Sequence, residues 1–239
     1  MAHQRAGGVA KGHATMLGIA SLRSVSADWM AFERPLVDDG QTVAGIDEVG
    51  RGALAGPVAV GVVVVQSPLP PPGGLNDSKL LSAAQRRALV EPLHAWAADV
   101  AVAFTSAAEV DTWGIRAAIA LAAHRALRQL RVPPTFLLLD GRDDLLEPRP
   151  WAATERPADW SHLPHARLVH GDRRSATIAA AAVLAKVARD RLMHQLAPAF
   201  PDFGWSSNVG YGSSGHLAAL RELGPTVLHR RSWNLPRGQ

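Results

Sequence analysis

Short apolar blocks dominate the first half of the chain, and helical spacing of apolar residues dominates the second. Thr42–Glu48 and Pro57–Val65 read as strands, the second a nearly continuous valine run of the kind buried on both faces. Gln66–Leu75 is a proline- and glycine-rich loop, after which Ser82 is placed to cap a helix over Ala83–Trp96. Asp99–Thr105 reads as a third strand. Ala107–Leu130 follows as a helix broken near Gly114, with Ile115, Ile119, Ala122 and Ala126 on one face. Thr135–Leu139 is a short, fully apolar strand ending at Asp140-Gly141, and Arg167–His170 is a candidate strand. An alanine-rich helix from about Arg174 to Leu196 comes next. Strands alternating with helices predict an α/β layered domain.

Asp143–His165 breaks this order: it carries Pro148, Pro150, Pro157 and Pro164 and has no apolar period. Unstructured stretches of roughly 20 residues are uncommon inside compact domains, so a mobile surface excursion is expected here. Residues 1–40 read as a partly disordered N-terminal extension, and 41–239 as one catalytic domain whose helical region starts near residue 195.

Composition narrows the class. An apolar fraction of 47% is ample for a core. The absence of cysteine excludes disulfides and thiolate metal sites. No apolar run approaches the ~20 residues of a membrane span, and the first 24 residues lack the h-region of a signal peptide, so a cytoplasmic protein is expected. The net charge of +4 permits nucleic-acid binding without establishing it. Arg173, Arg174, Arg189, Arg191 and the tail from His229-Arg230-Arg231 to Arg237 place positive charge on the C-terminal third, although the Arg230–Arg237 tail reads equally well as a solvated end.

The chemistry lies in the acids. Asp47-Glu48-Val49-Gly50-Arg51-Gly52 joins two adjacent carboxylates to a turn whose glycines admit close approach of a ligand to the backbone. Asp140 ends a buried strand, where open α/β sheets bind ligands. Asp190 lies late in the alanine-rich helix, one turn after Lys186. Carboxylates from three segments make a hard oxygen site suited to Mg²⁺ or Mn²⁺ rather than zinc. Two such ions about 4 Å apart support phosphodiester hydrolysis. Asp47 and Glu48 point to opposite faces of a regular strand, so sharing metals requires the strand to end or twist there.

In order along the chain, Ala44–Gly52, Ala55–Val58, Asn76–Leu81, Leu139-Asp140-Gly141, Gly171-Asp172, Ile178–Ala181, Ala185–Asp190, Gly210-Tyr211-Gly212 and His216 closely resemble bacterial ribonuclease HII. The resemblance runs from about Val43 to Leu223. It implies an RNase H-like α/β fold, with a mixed central sheet flanked by helices and a C-terminal helical extension. It implies an endonuclease acting on RNA–DNA hybrids and on the 5′ side of single ribonucleotides in duplex DNA, leaving 3′-hydroxyl and 5′-phosphate ends; a monomer is expected, although the sequence itself is silent on oligomeric state. It further implies a two-metal site of Mn²⁺ or Mg²⁺ held by Asp47, Glu48, Asp140 and Asp190. Gly50, Arg51 and Gly52 would read the ribose 2′-hydroxyl, Tyr211 would stack on the neighbouring sugar, and Lys79 and Lys186 would support phosphate or metal binding.

The chain departs from the family's usual pattern at Val209 and His170, where lysine is usual, at Ala182 for serine, and at Ser213 for threonine. Two other readings stand beside this one: another metal-dependent nuclease on the same fold, and a catalytically silent hybrid-binding protein. Gly210–Gly215 satisfies a dinucleotide-binding spacing but lacks a preceding strand. His162 and His165 read as solvent-exposed loop residues, and the scattered tryptophans as packing residues rather than base-stacking ones.

Overall fold

The computed structural model describes residues 28–146, 151–152, 160 and 162–236. Its elements are α1 (Glu33–Asp38), β1 (Val43–Val49), β2 (Val58–Val65), α2 (Ala83–Trp96), β3 (Asp99–Thr105), α3 (Ala107–Trp113) and α4 (Ile115–Leu127). They continue with β4 (Phe136–Asp140), β5 (His165–Leu168), α5 (Ala176–Leu196), the short α6 (Trp205–Asn208) and α7 (Ser214–Leu223). The strands form one mixed sheet in the order β3-β2-β1-β4-β5. β1 pairs antiparallel with β2, and β2 with β3, while β1–β4 and β4–β5 are parallel. This is an RNase H-like α/β architecture.

Both faces of the sheet are covered, which is why β2 is buried at every position. On one face, Val43, Val63 and Leu138 pack under α5 and α2; on the other, Ile46, Val62, Leu137 and Leu139 pack against α4. α5 lies unusually close to the sheet. A side chain at Gly45 would run into the backbone of Thr177, and one at Gly61 into the carbonyl of Ala181. Two glycines beneath two small-residue turns of one helix thus set the separation of these layers. Ser82 caps α2 with Gln85 in a reciprocal pair, and Gly114, with φ of 77°, separates α3 from α4 as the sequence indicated.

Several expectations change. β5 lies two residues earlier than anticipated, because it pairs with β4 from Leu137↔His165 to Asp140↔Leu168 and stops where β4 stops. His165 therefore opens a strand, its Nδ1 3.1 Å from the Leu163 carbonyl and its Nε2 3.7 Å from Asp144. It is not a solvent-exposed loop histidine, whereas His162 is exposed. The segment from Asp143 to His165 is not a surface excursion throughout, since Leu145, Leu146 and Trp151 are buried in the apolar layers around α4. Residues 147–150, 153–159 and 161 lie outside the described residues, as do 1–27.

Before residue 40, Met30, Phe32 and Val37 join the core. Glu33 is fully buried there, accepting hydrogen bonds at one oxygen from Ser175 Oγ, Thr177 N and Thr177 Oγ1. An acid at the N-terminus of α5 complements the helix dipole, although burial raises its pKa. Residues 28–40 thus hold the start of the helix that covers the sheet. Beyond α5, Phe203, Trp205, Leu220 and Leu235 form a separate apolar cluster with Ala55 and Met193, which is the C-terminal helical extension.

Candidate active site

Asp47 and Asp140 come together through strand register. β1 and β4 run parallel with Ile46 opposite Leu139, so the next step brings Asp47 abreast of Asp140 on the face covered by α5. Asp172 enters from the short 3₁₀ turn Gly171–Arg173 that follows β5. The acids thus gather at the carboxyl ends of adjacent parallel strands. Glu48 points to the other face, but it stands next to the strand's end at Gly50, where β1 gives way to a turn. Its carboxylate still feels Asp140, and Arg51 Nη1 lies 3.4 Å from its Oε1.

The acids perturb one another. Burial raises the Asp47 carboxyl well above the usual range, and the charges of Glu48, Asp140 and Asp172 push it further. Glu48 is raised by burial against the pull of Arg51, with Asp140 adding to the rise. Asp140 is raised by burial and by Asp172, opposed by the Gly171 N–H that donates to its Oδ1 at 2.7 Å. Lys79 Nζ donates to Asp172 Oδ2 at 2.9 Å and lies 3.9 Å from the buried Asp77. Burial works against the Lys79 charge, but Asp172, Asp77 and Asp47 outweigh it and raise its pKa.

Asp190 stands elsewhere. Its Oδ1 accepts from Lys186 Nζ at 2.6 Å and its Oδ2 lies 3.8 Å from Arg86. It is not among the largest influences on Asp47, Glu48 or Asp140. The charge that acts on Asp47 and Asp140 from outside β1 and β4 is that of Asp172, while the expected fourth acid, Asp190, is paired with Lys186. The reason is topological: Asp190 ends the Lys186–Asp190 stretch of α5 that faces Tyr211 and Arg86, whereas Asp172 follows the strand next to β4.

The Gly50-Arg51-Gly52 turn lies beside Glu48. Arg51 bridges Glu48 and Asp143, the latter at 2.9 Å, and Asp143 also holds Arg116 at 3.0 Å. Gly50 has φ of 89°, and a side chain there would strike the Arg189 guanidinium. Gly52 is different, since a β-carbon there would meet nothing within 4 Å. Its bareness answers no internal demand.

Tyr211 is tied to this turn through buried charge. Arg189, fully buried, donates to the carbonyls of Pro57 (2.8 Å), Ala55 (3.1 Å) and Val209 (2.9 Å). Its guanidinium sits 5.2 Å from the centre of the Tyr211 ring, and Lys186 Nζ sits 5.8 Å from it. Burial lowers the Lys186 pKa, with Asp190 opposing. Leu54 N donates to the Gly210 carbonyl at 2.8 Å, so the two glycine-rich loops are hydrogen-bonded. The segment before Gly210 is the helical turn α6, not a strand, which removes the dinucleotide reading of Gly210–Gly215.

Arg189 and Arg230, expected to add surface charge, are fully buried and serve backbone carbonyls. Of the tryptophans, Trp151 and Trp205 are fully buried packing residues.

Among the described residues no three His, Asp or Glu side chains enclose an ion as they stand. The donor set nevertheless fits a hard divalent cation. Asp47 accepts from Glu48 N, Asp140 from Gly171 N and Asp172 from Lys79 Nζ, so each carboxylate is held in place by a donor while keeping acceptor capacity for a cation. Mutual repulsion in a buried site is the condition that a cation relieves.

A family model described as ribonuclease HII matches residues 44–235. A ribonuclease HII of Streptomyces avermitilis is 43% identical over 193 residues, covering 81% of this chain and 77% of that protein. One of Ruegeria pomeroyi is 47% identical over 191 residues, covering 80% of this chain and 75% of its own. Among solved structures, the ribonuclease H2 of Pyrococcus horikoshii OT3 superposes with a TM-score of 0.62 at 26% identity, over 81% of this chain and 94% of that one. Buried acids at the ends of β1 and β4, beside a glycine-flanked turn, thus belong to a chain that is a member of the ribonuclease HII family of metal-dependent, phosphodiester-hydrolysing ribonucleases.

Proposed function

We propose that this protein cuts the RNA strand of RNA–DNA hybrids and incises duplex DNA on the 5′ side of a single embedded ribonucleotide, leaving 3′-hydroxyl and 5′-phosphate ends. The observation that carries this reading is the placement of the acid cluster directly beside the Gly50–Gly52 turn. A backbone turn can separate ribose from deoxyribose by donating to the 2′-hydroxyl, the group that distinguishes them.

Asp47, Glu48, Asp140 and Asp172 would hold two divalent cations, Mg²⁺ or Mn²⁺. Bound there, the cations would supply a nucleophile at neutral pH and stabilise charge on the leaving 3′ oxygen. The Arg51 and Gly52 amides would fix the ribose, setting the scissile phosphate over the carboxylates. Tyr211, held by Arg189 and half-buried, would stack on the neighbouring sugar. Lys79 would meet the backbone phosphate from the Asp172 side, and Lys186 from the Tyr211 side.

The test is a gel assay on a DNA duplex carrying one ribonucleotide, with Mg²⁺, Mn²⁺ or chelator, beside the Asp47→Asn protein. Metal-dependent incision 5′ of the ribonucleotide, lost in the variant, is the expected result. Cleavage of long hybrids alone would limit the reading to hybrid hydrolysis, and tight binding without cleavage of either would replace it with a silent hybrid-binding protein.

A further inference from the structure

The turn that bears Arg51 and Gly52 is braced from beneath by a side chain from the far end of the chain. Arg230 is fully buried, yet among the described residues no carboxylate pairs with it, Asp111 acting on it only through its charge. Its Nη1 donates to the Arg51 carbonyl at 2.8 Å, and its Nη2 to those of Gly50 at 2.7 Å and Gly56 at 3.3 Å. The guanidinium lies 4.9 Å from the centre of the Trp233 ring. The main chain around it is equally fixed: Arg230 N donates to Leu54 O and Gly56 N to Leu228 O, while His229 forms a β-bridge with Ala55.

Peptide geometry gives this bracing a consequence. In a trans peptide the carbonyl and the following N–H point in opposite directions, and the described chain contains no cis bond. Drawing the Gly50 and Arg51 carbonyls inward therefore turns the Arg51 and Gly52 N–H groups outward. Neither amide has a hydrogen-bond partner among the described residues, and both residues are exposed. The turn is otherwise closed by one bond, Ala53 N to Gly50 O at 3.2 Å.

Keeping a charge here is costly. Burial, aided by the nearby Arg189 charge, lowers the Arg230 pKa to about 10. An apolar side chain would fill the same space without desolvating a cation. We propose that Arg230 is the positioning residue of the ribose-reading turn, holding two successive carbonyls inward so that the Arg51 and Gly52 amides face the substrate. The inference rests on the ribose reading given above.

It is tested in the full chain carrying Asp47→Asn, so that nothing is cut, with Arg230→Met, Arg230→Lys and, as a packing control, Leu220→Ala in the C-terminal apolar cluster. Two quantities are compared: the affinity ratio between a duplex with one ribonucleotide and the all-DNA duplex, and the NMR resonances of the Arg51 and Gly52 amides without ligand. The Arg230 variants should shift both amide resonances. They should also lower the ratio by about tenfold, the worth of one or two lost hydrogen bonds, and leave all-DNA binding unchanged. Leu220→Ala should lower the melting temperature while keeping the ratio and the resonances. Should Arg230→Met fail to fold, Arg230→Lys decides, because one ammonium cannot span both carbonyls. A ratio and resonances unchanged in the Arg230 variants would overturn the proposal. If the parent shows no ribose preference, the ribose reading fails, and the resonances decide the positioning alone.

Discussion

At 5% exposure, with Glu48, Asp140 and Asp172 as neighbours, Asp47 makes the metal-free protein less stable at neutral pH. The sign follows from its raised folded-state pKa: its contribution is fully present below the unfolded value and is lost as pH rises through the folded one. Asp47→Asn should therefore abolish cleavage and yet raise the metal-free melting temperature by a few degrees, at ~2–4 °C per kcal/mol for a chain of this size. A melting scan with chelator, beside the cleavage assay, checks both. For the acids around it, Asp172→Asn should weaken Mn²⁺ binding by roughly 10-fold or more in calorimetry, and Asp190→Asn should change it little. Equal losses would return Asp190 to the cluster. Asp47, Glu48 and Asp140 were legible because each ends an apolar strand pattern. Asp172 falls in the Gly171-Asp172 block of the family resemblance, but its place beside Asp140 was not legible, because the strand before it takes its position from pairing with β4, two residues earlier than its own pattern suggests. The burial of Arg230 was not legible either, since an arginine that serves carbonyls has no signature in a single sequence. Val209 and His170, where the chain departs from the family pattern, are also the described non-glycine residues with positive φ, at 43° and 56°. For the β-branched valine that conformation costs on the order of 1–2 kcal/mol, and Arg189 helps hold it through the Val209 carbonyl.

At the level of elements, the union of α5 with β1 and β2 places the acids, and it depends on side chains that are absent. Gly45→Ala would press a methyl group into the backbone between Thr177 and Ile178, which cannot yield as a side-chain tip could. Overpacking of this kind costs roughly 1–3 kcal/mol or more, so the melting temperature should fall by about 5–10 °C. Gly52→Ala has open space around it and should melt as the parent does while losing incision at a single ribonucleotide. A matching loss of stability in both variants would show that Gly52, too, answers to packing. Most elements could be read directly from periodicity, including the break at Gly114 and the Ser82 cap. The sequence could not show where short, polar β5 stops, or that α1 packs into the core, because both are fixed by partners distant in the chain.

Across the whole molecule, the C-terminal segment links Tyr211 to the strap that carries Arg230 by way of two buried histidines. Thr226 N–H donates to His229 Nδ1 at 3.0 Å, His229 Nε2 lies 2.9 Å from His216 Nε2, and His216 Nδ1 lies 2.8 Å from the Tyr211 carbonyl. The carbonyl can only accept, so His216 carries its proton on Nδ1, and its Nε2 accepts from His229 Nε2–H. Both rings must be neutral for this chain to hold. Burial lowers the His216 pKa, and burial, His216 and Arg231 together lower that of His229 to about 4. Unfolded, His229 takes up its proton near pH 6.5, so the folded protein loses this stability as pH falls from 6.5 towards 4. The drop integrates to about 3 kcal/mol, at ~1.4 kcal/mol per pKa unit. The raised acids Asp47, Glu48, Asp140 and Glu33 act in the opposite direction over acid pH. Subtraction isolates the histidine: in urea unfolding across this window, the stability difference between the parent and His229→Gln should shrink as pH falls. A difference flat with pH would remove His229 from the linkage. If it shrinks as expected, acid should also loosen the Tyr211 loop, so that incision at a lone ribonucleotide declines at a higher pH than hydrolysis of a long hybrid.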